Sequence, residues 1–182
     1  MIILLSPLLL IISLAVLIAD GRPVIFKQCR VGRNNKLFYI YKFRTMKNGI
    51  GDIATKDFKD FEASITFTGR FLRKTSLDEL PQLINIIKGE MSFVGPRPLI
   101  PDEKEIRKLR EEYNVFSVRP GLTGLAQVNG RDALTDIEKA AFDREYVENR
   151  SFSLDIKILF RTFFAVLFRK DIIEGSEKFN KR

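Results

Sequence analysis

The residues from Met1 to Ala19 are almost wholly apolar, interrupted only by Ser6-Pro7 and Ser13. No other feature limits the possible folds so sharply. At about 1.5 Å of rise per residue, a helix of this length is close to what the hydrocarbon core of a bilayer requires. A signal peptide would show a basic start and a small-x-small site before Asp20, and neither is there. A spanning helix is marginal in length. A re-entrant helix is the third reading, because Pro7 removes the hydrogen bond to the carbonyl of Ile3 and kinks a helix interior. Ser6 beside it can satisfy a freed backbone group. Spanning and re-entrant helices fit these residues equally well. The run opens directly on apolar residues, as expected if an upstream arm is missing from this numbering.

Composition narrows the chemistry. There is no His among the 182 residues, which removes a Ser-His triad, a His metal site and a His general base. Acid–base or covalent work falls to carboxylates, Lys, Tyr or the single Cys29. One cysteine cannot form an internal disulfide, and it lies in a strand-like run with no obvious activating partner. Lys and Arg total 31 against 23 Asp and Glu, a net charge of +8, which favours anionic partners. The length suits one domain with a real core.

The densest stretch is Thr75–Pro98, TSLDELPQLINIIKGEMSFVGPRP. Ser76 and Glu79 have capping-box spacing, which predicts Ser76 as N-cap. Leu80, Leu83, Ile84 and Ile87 then follow at helical period, and Lys88-Gly89 supplies a stop. Pro81 is early enough to cost little. Asp78 falls in the first turn, where helix dipole and free N–H groups are expected to keep it ionised, able to act as nucleophile or metal ligand. The plainer reading is that acidic residues in a first turn only cap. Arg97, clamped between Pro96 and Pro98, supplies a rigidly held cation downstream. A carboxylate pair with such a cation suits metal-assisted chemistry on a phosphate.

Elsewhere, Val24 to Cys29 and Leu37 to Met46 predict a β-hairpin around Gly32-Arg33-Asn34-Asn35. Lys42 and Arg44 share one face of the second strand and can bind phosphate, although such pairs are usually solvated. Tyr39, Tyr41 and Phe43 line the other. Asn48–Phe67 reads as a mobile loop leading into a short helix, and Thr68 to Lys74 brings Arg70 and Arg73 close before Asp78. Pro101 to Asn114 predicts a solvated, charge-laced helix. VRPGLTGLAQVNGR, Val118 to Arg131, is a Gly-rich loop with Thr123, Gln127, Asn129 and Arg131, weakly suggestive of a phosphate cradle. An acidic, aromatic helix is expected over 142–150. Phe152 to Phe168 is aromatic-rich, with Lys157 and Arg161 four apart, and suits a membrane interface.

Together, YKFRTM (41–46), SLDELPQLINIIKGEMSFVGPRP (76–98) and RPGLTGLAQVNGR (119–131), in this order, resemble the bacterial sugar transferase family, the monotopic phosphoglycosyl transferases. The resemblance covers nearly the whole chain. It implies a helix-rich α/β (α+β) fold: a small cytosolic catalytic domain with a short β-hairpin, a re-entrant membrane helix and interfacial amphipathic helices. Residues 1–20 would be the re-entrant helix, with Ser6-Pro7 as its break, and residues 21–182 the catalytic domain. The activity implied is transfer of a sugar-1-phosphate from a UDP-sugar to polyprenyl (undecaprenyl) phosphate with release of UMP. It requires Mg²⁺ and passes through a covalent aspartyl–phosphosugar intermediate, the first membrane step of glycoconjugate assembly. The place implied is the cytoplasmic face of the bacterial inner membrane. By the same resemblance Asp78 is nucleophile and touches Mg²⁺, and Glu79 assists with the lipid phosphate. Lys42, Arg44, Arg97 and Arg131 are candidates for the diphosphate, and Gln127 and Asn129 for nucleotide or sugar. Leu125 stands where many relatives carry Trp, which bears on anchoring or specificity. A competing class is a non-catalytic basic protein that binds anionic lipid or nucleic acid at the membrane. It leaves an acidic pair beside a clamped arginine unexplained, and nucleic acid is not expected as a partner. A soluble nucleotide-sugar hydrolase is opposed by the apolar start.

Overall fold

The computed structural model describes residues 2–48, 61–130 and 133–168, with the side chains of residues 2–4, 61 and 62 left aside. Its helices are α1 (Ile2–Asp20), α2 (Phe61–Ser64), α3 (Phe67–Thr75), α4 (Leu83–Ile87), α5 (Lys104–Glu112), α6 (Leu125–Val128), α7 (Asp136–Asn149) and α8 (Phe152–Phe168). Its strands are β1 (Ile25–Val31), β2 (Leu37–Phe43), β3 (Ser92–Val94) and β4 (Gly121–Thr123), paired as β1-β2 and β3-β4. The helix-rich α/β class follows. Two compact units emerge. The first holds α1, the open end of the hairpin and Tyr39–Asn85; the second holds Cys29–Phe38 and the chain from Ile86 onward.

In the first unit, α1 is continuous through Pro7. Ser6-Pro7 is therefore not a break in secondary structure among the described residues. The proline falls early in the helix, where it removes one hydrogen bond and leaves the ladder after it intact. Ile12 and Val16, one turn apart, are buried with Phe43 of β2 and Leu72 of α3. The opposite side of α1 exposes Leu10, Ile11, Leu14 and Ile18. Among the described residues, no helix is long and apolar enough to cross a membrane.

The hairpin forms where alternation predicted it, and its turn is a short 3-10 segment, Arg33–Asn35, in which Asn34 and Asn35 take positive φ. Asparagine tolerates that region better than most residues. Phe38 and Ile40 are buried and Tyr39 is exposed, so the face that carries Lys42 and Arg44 is covered rather than solvated.

The second unit has two cores: Val31, Leu99, Ile106 and Ala140, and Val94, Leu125, Tyr146 and Ile158. β3 and β4 run parallel, with Ser92 opposite Gly121 and Val94 opposite Thr123. The stretch read as a Gly-rich loop is thus a strand and a helical turn. A Cβ at Gly121 would lie 2.1 Å from the Gly95 backbone nitrogen, so glycine here serves close backbone approach rather than a phosphate cradle. The charged helix α5 is also not wholly solvated, because Ile106 and Arg110 are buried. α7 starts six residues before the expected 142, on a capping box between Thr135 and Glu138.

Along α8, Ile158 is buried and the Thr162 hydroxyl lies 2.7 Å from that of Thr123, while Phe152, Phe160, Phe163 and Phe168 are exposed. In the first unit, Phe67 and Phe71 of α3 and the outer residues of α1 are likewise exposed.

Candidate active site

The carboxylate pair is presented differently from the capping-box expectation. Thr66 opens α3, its hydroxyl accepting from the Gly69 N–H at 2.9 Å. At the other end Ser76 adopts φ 56, ψ 17, the left-handed region, and its N–H closes α3 onto the carbonyls of Leu72 and Arg73. Ser76 makes no side-chain cap bond to the following helix. An N-cap serine needs extended φ/ψ, which this elbow excludes. Residues Leu77–Gln82 then form a 3-10 helix with Asp78 and Glu79 in its first turn and Pro81 inside, and only afterwards does α4 begin. The stop at Gly89 is as expected, with φ 75 and its N–H on the Ile86 carbonyl at 3.0 Å.

Asp78 is 9 % exposed. Burial pushes its carboxyl up from the ordinary 3.8; Lys42 opposes that, Glu79 adds to it, and Arg73 and the Asp78 backbone N–H oppose it less strongly. The net direction is upward. Desolvation thus outweighs the pull of the helix start and of Lys42 toward the anion. Such a carboxyl is a stronger base, and so a better nucleophile once ionised, than an exposed aspartate.

Lys42 Nζ lies 2.6 Å from Glu79 Oε1, with both side chains largely covered. The same ammonium is the strongest electrostatic influence on Asp78, so one cation serves both carboxylates. Asn85, fully buried on α4, fixes this register: its Nδ2 donates to the Tyr39 carbonyl at 2.7 Å and its Oδ1 accepts the Tyr41 N–H at 3.2 Å. Asn85 was not legible as a site residue, because it sits inside an apolar helical pattern. Arg73 was also missed as a member of the site. Its spacing from Asp78 was visible, but only the turn at Ser76 brings the last turn of α3 back toward the carboxylates.

Arg44, a candidate for the diphosphate, is buried and holds the end of α1. Its Nη2 donates to the carbonyls of Asp20 and, at 2.8 Å, Gly21, and its Nη1 donates to Asn48 Oδ1. The last carbonyls of a helix lack intrahelical donors, and a guanidinium supplies them. An open pocket of about 340 Å³ lies beside Asp20, Arg44 and Thr66 and takes in none of the dyad residues.

In the second unit Arg97 sits in a segment whose main chain is held on several sides. Gly95 N–H donates to the Thr123 carbonyl and Gly121 N–H to the Pro96 carbonyl, both at 2.9 Å. Arg110 Nη1 donates to the Arg97 carbonyl at 2.7 Å and Arg30 Nη1 to the Pro98 carbonyl at 3.0 Å. Gln127, a nucleotide candidate, donates to the Leu122 carbonyl at 3.2 Å, and Asn129 donates to the Leu125 carbonyl at 2.9 Å while accepting from Arg161 at 2.8 Å. The Asn129 amide is thus engaged through both its nitrogen and its oxygen, whereas Gln127 Oε1 is buried without a hydrogen-bond partner among the described residues. Leu125 is a core residue rather than an exposed contact. Arg131 lies outside the described residues.

Residues 1–169 match the family described as bacterial sugar transferase. The chain belongs to that family. The exopolysaccharide production protein ExoY of Sinorhizobium fredii is 41 % identical over 177 residues, a match covering 89 % of this chain and 78 % of that protein. The UDP-glucose:undecaprenyl-phosphate glucose-1-phosphate transferase of Escherichia coli is 44 % identical over 168 residues, covering 88 % of this chain and 36 % of that protein. The undecaprenyl-phosphate galactose phosphotransferase of Salmonella typhimurium is 44 % identical over 165 residues, covering 82 % of this chain and 34 % of that protein. Relatives named for glucose and for galactose are equally similar to this sugar transferase, so overall similarity does not choose the sugar.

Proposed function

We propose that the chain transfers a sugar-1-phosphate from a UDP-sugar to polyprenyl phosphate, with Asp78 as nucleophile. The observation that carries the reading is the buried, basic Asp78 carboxyl beside the Lys42–Glu79 pair. A carboxylate oxygen of Asp78 attacks the β-phosphorus of the donor. The bond from that phosphorus to the bridging oxygen breaks, and UMP leaves with the oxygen and its electron pair. An oxygen of polyprenyl phosphate then attacks the same phosphorus. The acyl-phosphate P–O bond breaks and returns the carboxylate, leaving a polyprenyl diphosphate-linked sugar. Glu79, oriented by Lys42, positions the incoming lipid phosphate. Arg97 is assigned to the donor's phosphates, as a guanidinium suits bidentate contact.

Mg²⁺ fits the dyad. Glu79 raises the cost of charge on Asp78, which a divalent cation at Asp78 would relieve. Among the described residues no three His, Cys, Asp or Glu side chains cluster. Mg²⁺ ordinarily takes one or two carboxylates, with phosphate oxygens and water completing its shell. When bound, the ion would neutralise charge on the diphosphate.

The exposed apolar sides of α1, α3 and α8 support placement on a phospholipid surface, and the family resemblance supports a re-entrant α1 and the cytoplasmic face of the inner membrane. UMP release from a panel of UDP-sugars, with undecaprenyl phosphate and Mg²⁺, tests the activity and finds the sugar. One donor is expected to dominate, and release from none of them would overturn the proposal.

A further inference from the structure

The Pro96-Arg97-Pro98 segment raises a physical question that its sequence hides. Two prolines fix two φ angles but also remove two N–H donors, so the segment can be anchored mainly through its carbonyls. Three successive carbonyls each accept from a different element. Pro96 accepts from the Gly121 N–H of β4. Arg97 accepts from Arg110 Nη1 of α5, and Pro98 from Arg30 Nη1 of β1.

The contact at Arg97 is the unusual one. Arg110 and Asp143 are 3 % and 1 % exposed, and Arg110 Nη2 lies 2.5 Å from Asp143 Oδ2. One guanidinium thus spans a carboxylate on α7 and the main chain of Arg97. A buried ion pair is weak evidence for stability, since well-packed apolar residues of similar volume often do as well or better. Placing two charges in this core is accounted for better by what the free arm of the fork does. A guanidinium addresses the two acceptors from two nitrogens held in one rigid plane; an ammonium offers its three donors from a single atom.

We propose that Arg110, held by Asp143, is a positioning residue that sets the main chain of Arg97, and through it the presentation of that arginine to the donor's phosphates. The inference rests on the reading of Arg97 as a phosphate ligand. Arg110 itself touches no substrate. α5 is thereby tied to the reaction, although its charge pattern alone suggests a solvated surface.

Removing Arg110 alone would strand Asp143, so the test uses the paired replacement R110M/D143L, which takes out both charges and keeps the volume. UDP serves as the probe, titrated calorimetrically with Mg²⁺ against the detergent-solubilised chain, with unfolding temperature recorded in parallel. R97A is expected to weaken UDP binding. R110M/D143L is expected to unfold at or above the wild-type temperature and yet weaken UDP about tenfold, the scale of one charge-assisted hydrogen bond. The triple variant should bind no more weakly than R97A, because both changes act through one group. Wild-type affinity in R110M/D143L, or losses that add in full in the triple variant, would overturn the inference. If the paired replacement does not fold, R110K keeps the countercharge for Asp143 but removes the rigid two-nitrogen fork, and the same two outcomes decide. Wild-type UDP affinity in R97A would instead overturn the role assigned to Arg97, a result distinct from the failure of Arg110 alone.

Discussion

Lys42 Nζ sits 2.6 Å from Glu79 Oε1, joining the second hairpin strand to the first turn of the dyad helix across 37 residues of sequence. The same lysine restrains the upward shift of Asp78. Lys42→Met is therefore expected to release Glu79 and to make Asp78 harder to ionise. The turnover rate for UMP release at neutral pH should fall roughly a hundredfold, the scale of losing one preorganised charge. Lys42→Arg should retain part of the rate. A Lys42→Met enzyme with full turnover would remove Lys42 from the site.

Asp78→Asn should trade activity for stability. The folded-state pKa of Asp78 lies above its unfolded value of 3.8, so the folded chain binds the proton more tightly. Its contribution to stability is present in full below pH 3.8 and is lost as pH rises through the folded pKa. Asparagine suffers no such loss. Thermal unfolding without metal should show Asp78→Asn more stable than wild type at neutral pH, the difference shrinking toward zero as pH falls to the acid end of the folded range. A constant difference across pH would argue against the shift.

The Arg110–Asp143 pair gives a stability prediction of its own. Arg110→Met alone leaves a buried carboxyl without its cation and should cost about 3–5 kcal/mol in denaturant unfolding, whereas the paired replacement with Asp143→Leu should be close to neutral. Equal costs for the two variants would show that burial of the charge is not the source of the loss.

Gly121→Ala would place a Cβ 2.1 Å from the Gly95 nitrogen and 2.4 Å from the Thr123 carbonyl oxygen. Both are backbone atoms in the β3–β4 pairing, so neither can rotate away. The cost should reach the upper end of the about 1–3 kcal/mol of overpacking, and the unfolding temperature should fall accordingly.

What could be read from sequence was local. The hairpin, the stop at Gly89 and the α8 pattern depend on neighbours within a few residues, and alternation, glycine and helical period report those. Ser76 shows where local reading misleads: its spacing to Glu79 satisfies the capping-box pattern, yet the backbone turns there in the left-handed region and the real box forms at Thr135. The partners of charged side chains were the least legible. Arg44 holds the end of α1 more than twenty residues back, and Arg110 reaches both α7 and the Arg97 carbonyl. Nothing in α5 separates Arg110 from its exposed neighbours except phase with Ile106. Leu125 could not be placed from its loop-like surroundings, because its burial depends on α7 and α8 packing over it.

The account stands or falls on Asp78 as a covalent nucleophile. The most direct measurement is the intact mass of the chain after incubation with the accepted UDP-sugar and Mg²⁺, with the lipid acceptor withheld. A gain equal to one sugar phosphate, absent in Asp78→Asn and discharged when undecaprenyl phosphate is added, is the predicted result. Unchanged mass in a protein that turns over only with both substrates present would contradict it and indicate direct transfer.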